Sequence, residues 1–261
     1  MASQRTLVRL YPEIAAGGFT RDDGTVAFYT RVRALLEPSM TVVNLGAGRG
    51  RHAEDPVRFR RELVVLRGAV AEVVGVDPDP VVLENPTVDR AVVMPDPRTI
   101  PLPDDSADLV LADWVLEHVT EPHAVATEVD RVLRPGGWIC ARTPNKRGYW
   151  ALGARLVPVR AQGRLLRYLQ PDRPSRDVFP TTYGMNTPAE LRELFPGYRL
   201  VIYGHHPPPV LGEALWLNRA ARAALRWIPP SLAATFFVFL YKPTDSDAQR
   251  DSSGPPAVVD E

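Results

Sequence analysis

The sequence predicts an α/β fold, a parallel sheet with helices packed on both faces, and three observations carry that prediction. The apolar run Thr41-Val42-Val43-Asn44-Leu45 leads into Gly46-Ala47-Gly48-Arg49-Gly50, a strand entering a turn that side chains would obstruct. Further apolar runs end in, or run into, an aspartate: residues 72–77 at Asp77, 90–94 just before Asp96, and 107–113 at Asp113. Between these runs lie segments with helical spacing, and strands alternating with helices imply right-handed crossovers.

In chain order, residues 1–20 mix aromatic and polar residues with Gly17-Gly18 and are expected to form a partly ordered arm rather than a helix. Val26, Phe28, Tyr29, Val32, Leu35 and Leu36 recur at helical spacing, and Pro38 ends that helix before the first strand. After the glycine turn, Asp55-Pro56 delays the crossover helix to about Val57. The second strand is 72–77, the third 90–94 and the fourth 107–113. A helix over 121–133 follows, with Pro135-Gly136-Gly137 as its stop. The fifth strand is 138–142.

The rhythm then breaks. About forty residues follow that carry Arg147, Arg155, Arg160, Arg164, Arg167, Arg173 and Arg176, either an anion-holding surface or a solvated charged face. Thr187-Pro188-Ala189-Glu190 reads as a capping box that starts a short helix over 188–195. Strands are expected at 198–203 and 235–241, with a helical stretch at 212–227 between them. One domain over 1–243 accommodates this: an arm at 1–21, a core at 22–145, insertions at 146–186 and 205–231, and a disordered tail at 244–261.

Composition narrows the function classes. Lys+Arg 31 equals Asp+Glu 31, so no chain-wide field attracts nucleic acid or an anionic membrane, and neither partner is expected. Cys140 is the single cysteine, which excludes an intramolecular disulfide and a cysteine-based metal site. The N-terminus lacks a basic start followed by an apolar stretch, and the longest apolar run, 232–241, is too short to span a bilayer. A soluble, cytoplasmic protein is the expectation.

The glycine turn alone does not name a ligand. Arg51 stands where a dinucleotide-binding G-x-G-x-x-G would have its last glycine, and no phosphate-loop Lys-Ser/Thr follows Gly50. A tight strand-to-helix turn explains the glycines without any ligand. The turn together with Asp77, Asp96-Pro97, residues 104–110 (Asp-Asp-Ser-Ala-Asp-Leu-Val), Glu117-His118-Val119 and residues 131–137 (Arg-Val-Leu-Arg-Pro-Gly-Gly) resembles a class I S-adenosylmethionine-dependent methyltransferase, of the type 11-like group acting on small molecules. The resemblance covers roughly 41–145.

That resemblance implies a Rossmann-like seven-stranded, mostly parallel sheet with an antiparallel edge hairpin, for which 198–203 and 235–241 are the candidates. It also implies S-adenosyl-L-methionine as cofactor. Gly46, Ala47, Gly48 and the adjoining backbone would face its methionine end, Asp77 its ribose diol and Asp96 its adenine amino group. Asn44, Asp113 and Trp114 complete the expected cofactor-binding set. Asn44 departs from the family, which usually has an acidic residue there; an amide still orients the turn by hydrogen bonds, with weaker or water-mediated cofactor contact. Trp114 either borders the adenine pocket or packs in the core.

Methyl transfer is an in-line displacement, so alignment in a dry pocket carries most of the catalysis. An alcohol, phenol or ammonium acceptor must also lose a proton, whereas a carboxylate need not. His118 is either that base or a histidine bonded to the loop below the pocket. Tyr183, in the segment 179–187, either lines an acceptor pocket or closes the insertion's own small core. His205-His206 ends a strand on the same side, and no metal is expected there or elsewhere. The expected function is methyl transfer to oxygen or nitrogen of a small-molecule acceptor. The rivals are a catalytically silent cofactor-binding scaffold and a nucleic-acid methyltransferase, which the Asp113-Trp-Val-Leu sequence and the neutral charge disfavour.

Overall fold

The computed structural model describes residues 4–149 and 182–247; the arginines from 155 to 176, Phe179 and the tail after 247 lie outside the described residues. Seven strands form one sheet in the order β3-β2-β1-β4-β5-β7-β6. They are β1 Thr41–Leu45, β2 Glu72–Asp77, β3 Arg90–Val93, β4 Ala107–Asp113, β5 Leu133–Pro144, β6 Arg199–His205 and β7 Thr235–Tyr241. All pairings are parallel except those of β7, which runs antiparallel to β5 and β6. The expected edge hairpin is present, with β7 inserted between β5 and the edge strand β6. Residues such as Val74, Val76, Val110 and Leu111 are buried on both sides of the sheet, as a parallel sheet covered by helices requires.

Alternation along each strand sends side chains to two cores. On one face, Val43, Leu45, Val110 and Ile139 pack with α4 (Pro122–Val132) through Val125, Val129 and Val132, and with α5 (Pro188–Leu194) through Leu191. On the other, Val42, Leu109, Phe237 and Phe239 pack with α2 (Gly24–Ala34) through Phe28, Tyr29 and Val32, and with α3 (Arg58–Val64) through Val64. The delayed start of α3 is as expected, since its N-cap is Val57. Thr187 caps α5 by accepting the Glu190 N–H, but Glu190 does not reach back to the Thr187 N–H. Its carboxylate takes the Asn186 N–H at 3.0 Å and the Lys146 ammonium at 2.7 Å.

Three expectations change. Residues 4–10 are a helix, α1 (Gln4–Leu10), followed by a 3-10 turn at Pro12–Ala15. The sequence hid it because its stability is tertiary: α1 rests on α6 (Leu215–Leu225), about two hundred residues away. Thr6 bonds Glu213, the Tyr11 hydroxyl donates to the Pro209 carbonyl at 2.8 Å, and the Arg222 guanidinium lies 5.5 Å from the Tyr11 ring centre. Pro135-Gly136-Gly137 does not stop a helix. The chain passes directly from α4 into β5, and the register of β4 against β5 slips at this point. Order also extends past Thr244, because Asp247 accepts from the Tyr241 hydroxyl at 2.8 Å and from the Thr244 N–H at 3.1 Å.

Candidate active site

The strand order reverses between β1 and β4, and ligands of open α/β sheets bind in the crevice outside the carboxyl ends at such a point. On the β1 side this crevice is lined by backbone. Gly46, Gly48 and Gly50 have φ of 65°, 50° and 73°, a region that L side chains rarely enter. Gly46 and Ala47 donate to the Val76 carbonyl, and Gly48 donates to Asp77 Oδ2 at 2.8 Å, which ties the turn to the end of β2. Asn85 braces it from outside, its amide donating to the carbonyls of Ala47 and Gly48.

The three glycines face different surroundings. A Cβ on Gly46 would lie 2.6 Å from Val115 Cγ2, so this glycine lets the turn approach the loop after β4. A Cβ on Gly48 would meet only Asp77 Oδ2, at 4.0 Å, which leaves open space against the backbone. Asp77 borders that space. Its Oδ1 accepts from the Asp79 N–H at 2.8 Å, yet burial still raises its pKa against those amide bonds.

The β4 side is made of side chains. Arg142, on β5, donates to both oxygens of Asp113, at the end of β4, at 2.7 and 2.8 Å, and both side chains are buried. Tyr29 of α2 donates to Asp113 Oδ2 at 3.0 Å, His52 Nε2 lies 3.4 Å from it, and Arg142 also reaches the Thr25 hydroxyl at 3.0 Å. Burial opposes ionisation of Asp113, but the charge and hydrogen bonds of Arg142 and His52 outweigh it and hold the carboxyl well below its ordinary pKa. The Asp113 side chain is therefore fully engaged inside the protein, a correction to its expected place among the cofactor ligands. Trp114, next along the chain, has a φ of 61° and is 42% exposed over the Arg142 guanidinium, 5.2 Å from its ring centre. That exposure excludes the core-packing alternative.

Below the same crevice lies a second polar cluster. Glu117 is buried, accepts from the Thr143 hydroxyl at 3.2 Å, and has its pKa raised by burial. His118 Nε2 lies 3.9 Å from the other Glu117 oxygen. The Glu117 carbonyl receives the Thr182 and Tyr183 N–H groups, and the Lys146 ammonium donates to the Tyr183 carbonyl at 3.0 Å. Asn186 completes the cluster through Thr143 and the Pro144 carbonyl. These bonds hold Tyr183 at a φ of 55° against the Glu117 backbone.

The remaining expected residues diverge. Asp96 is at the end of β3, but its exposed carboxylate is taken up by Arg98, which holds its pKa down at about 2. Asn44 lines a small cavity with Tyr29, His52, Thr87 and Leu111 on the α2 and α3 face of the sheet. His205 stacks on Phe237 and His206 on Tyr149, and His205 Nε2 and His206 Nδ1 are buried without a hydrogen-bond partner. Burial lowers the pKa of both, and both are neutral near pH 7. Among the described residues there is no group of three or more His, Cys, Asp or Glu that could hold a metal. Arg142, His52, Asn85 and Asn186 escaped the sequence reading, since each matters through a distant partner.

Residues 43–141 match a family model described as a methyltransferase domain. Over these residues the chain is similar to class I S-adenosylmethionine-dependent methyltransferases. An uncharacterized methyltransferase of Mycobacteroides abscessus is 35% identical over 107 residues, which are 37% of this chain and 37% of that protein. The chain thus matches little more than a third of that relative's length. The similarity in fold extends further than the similarity in sequence. A chain from the complex between the Haloferax volcanii Trm112 methyltransferase activator and a methyltransferase is 18% identical, with 90% of this chain and 98% of that one covered and a TM-score of 0.54. A SAM-dependent methyltransferase of Thermotoga maritima is 15% identical, with 88% and 93% covered and a TM-score of 0.50. The matched residues run from β1 to β5 and contain the glycine turn, Asp77, Asp113 and Glu117-His118; α1, β6, α6 and β7 lie outside them.

Proposed function

We propose that this protein transfers a methyl group from S-adenosylmethionine to oxygen or nitrogen of a small-molecule acceptor. The observation that carries this reading is the open space against Gly48 beside the Asp77 carboxylate, at the switch point of a methyltransferase sheet. The residues fit the cofactor. The N–H groups of Gly46, Ala47 and Gly48 already bond the Val76 carbonyl and Asp77, so the turn would take an amino-acid moiety through lone pairs on its carbonyls, and Asp77, which accepts two N–H bonds, retains lone pairs for a ribose diol. Asp96 would meet the adenine amino group after exchanging or sharing Arg98. The cofactor supplies an electrophilic methyl on a sulfonium, so the protein's tasks are alignment and exclusion of water.

On the acceptor side, Trp114 offers an exposed aromatic face, and Tyr183 and His118 belong to the loop cluster around Glu117. In this reading His118, 3.9 Å from the Glu117 carboxylate, would take a proton from an alcohol or amine. A cytoplasmic location, and specificity residing in the two insertions and the N-terminal arm, belong to the same reading. The packing of α1 on α6, which follows the carboxyl end of β6, favours the latter.

The test is incubation with labelled S-adenosylmethionine and metabolite extracts, followed by mass measurement of the product. Tyr183→Ala is expected to impair transfer and leave cofactor affinity nearly unchanged. Tight cofactor binding with no methylated product from any extract would favour the silent scaffold instead.

A further inference from the structure

Helix α6 is amphipathic in the reverse of the usual sense. Its inner face carries Asn218, which is buried and bonded to the Leu211 N–H and the Gly212 and Ala214 carbonyls, together with half-buried Ala221 and Leu225. Its outer face carries Trp216, Ala220 and Ala223, at i, i+4 and i+7 and therefore in one stripe, with Leu217 and Ala224 beside it, and Trp227 is exposed in the turn that follows the C-cap Arg226. Trp216 is 73% exposed and Trp227 88%. Arg219 and Arg226, seven residues apart, run along one edge of the stripe and are exposed. No acidic residue occurs from 214 to 244, in a chain whose total charge is zero. The helix is also firmly seated, through Tyr11, Arg222 and Glu213, so its outward face is presented rather than merely undocked.

A core-facing helix turns its aromatics inward and its arginines to water. A tryptophan at the start of an exposed stripe and another just past its end, with arginines along its edge, match the pattern of a helix lying in a bilayer interface. There the indoles settle at headgroup depth and the guanidiniums meet anionic lipid. We propose that the outer face of α6 docks this protein on an anionic membrane surface. Charge complementarity selects that occupant over a zwitterionic bilayer, and the apolar stripe over nucleic acid. The docking is peripheral, because no described helix is long and apolar enough to cross a membrane. It departs from the expectation drawn from chain-wide charge, which averages over a local cluster. Since α6 lies between the carboxyl end of β6 and the start of β7, docking brings that end of the sheet to the bilayer.

Flotation of the full chain with vesicles tests the proposal, without reference to methyl transfer. The probes are phosphatidylcholine vesicles with and without about one third phosphatidylglycerol. The wild type is expected to float with the anionic vesicles, to be released by raised salt, and to show tryptophan quenching by brominated lipid. Trp216→Ser/Trp227→Ser and Arg219→Gln/Arg226→Gln should each lower binding by about tenfold or more. Both should keep the wild-type melting midpoint, since these side chains are exposed. Absence of flotation, or equal flotation of the variants, overturns the proposal. So does a wild-type dimer that the tryptophan variant converts to monomer, which would show a second copy on this face. Shielding of Trp216 and Trp227 from acrylamide in the lone monomer would also overturn it, by showing the face covered within the chain.

Discussion

At the ends of β1 and β2 the surface facing the crevice is backbone, set by three positive-φ glycines and tied to Asp77 by one N–H bond. At the ends of β4 and β5 it is side chain: Arg142 from β5, Tyr29 and Thr25 from α2 and His52 from the segment after the turn all converge on or beside Asp113. The first half is mainly backbone, and the Gly48–Asp77 bond joins it across two neighbouring parallel strands. The second needs a closed fold before any of its bonds exist. Disrupting the first should therefore cost affinity, and disrupting the second should cost stability.

The largest expected effect is on the side-chain half. Arg142→Met leaves Asp113 buried without its cation, which should lower unfolding free energy by about 3–5 kcal/mol in urea titrations at neutral pH. The sign with pH follows from Asp113. In the wild type its folded pKa is depressed, so the pair's contribution is present above the unfolded value and is lost only as pH falls through the lower folded value. Without Arg142, burial dominates and the folded pKa rises above the unfolded one. The variant then takes up a proton on folding, and its deficit should shrink as pH is lowered. Asp113→Leu with Arg142→Met should recover much of the loss. A pH-independent deficit, or strict additivity of the two substitutions, would show that the pair is not the source.

The backbone half predicts the opposite division. Asp77→Asn keeps an oxygen for the Gly48 N–H but removes the charge. Cofactor affinity should fall by about 1–3 kcal/mol in calorimetric titration. Stability of the cofactor-free protein should change little at neutral pH, because the lost acceptor for the Asp79 N–H opposes the gain from removing a carboxylate that burial holds against ionisation. Unchanged affinity would remove Asp77 from the cofactor site.

The same division explains what could be read from the sequence. The glycine turn, Asp77 and the Thr187 cap are local signals in which residue type follows from backbone conformation over a few positions. Strand alternation likewise exposed the sheet. The antiparallel edge pair came from resemblance, and α1 was missed because its partners, among them Glu213, Pro209 and Arg222, are about two hundred residues away. Asp113 shows the limit most clearly. An aspartate at a strand end reads alike whether it faces a ligand or an arginine, and the deciding residue, Arg142, is twenty-nine positions away on the neighbouring strand. The same holds for Asp96, whose partner Arg98 is close in sequence but carries no motif.

The smallest expected effect tests the cluster where the two halves differ least. Glu117 is buried yet meets no cation in bidentate fashion; it accepts the Thr143 hydroxyl at 3.2 Å and faces His118 at 3.9 Å. Burial raises its folded pKa, so its carboxyl favours stability at low pH and costs stability as pH rises through that value. Glu117→Gln preserves the shape and the acceptor oxygen for Thr143 while removing the ionisation. It should change stability by less than about 1 kcal/mol, with the difference turning in the variant's favour as pH rises. Urea midpoints over a pH series measure this, and a difference that stays constant would mean that Glu117 is not held against ionisation. The substitution also separates two roles for the carboxylate. If Glu117 supports a base at His118, the variant should alter kcat and shift its pH profile while KM for the acceptor stays close to wild type. Should Glu117 only anchor the loop through its carbonyl, which the substitution leaves in place, turnover and its pH profile should both be unchanged.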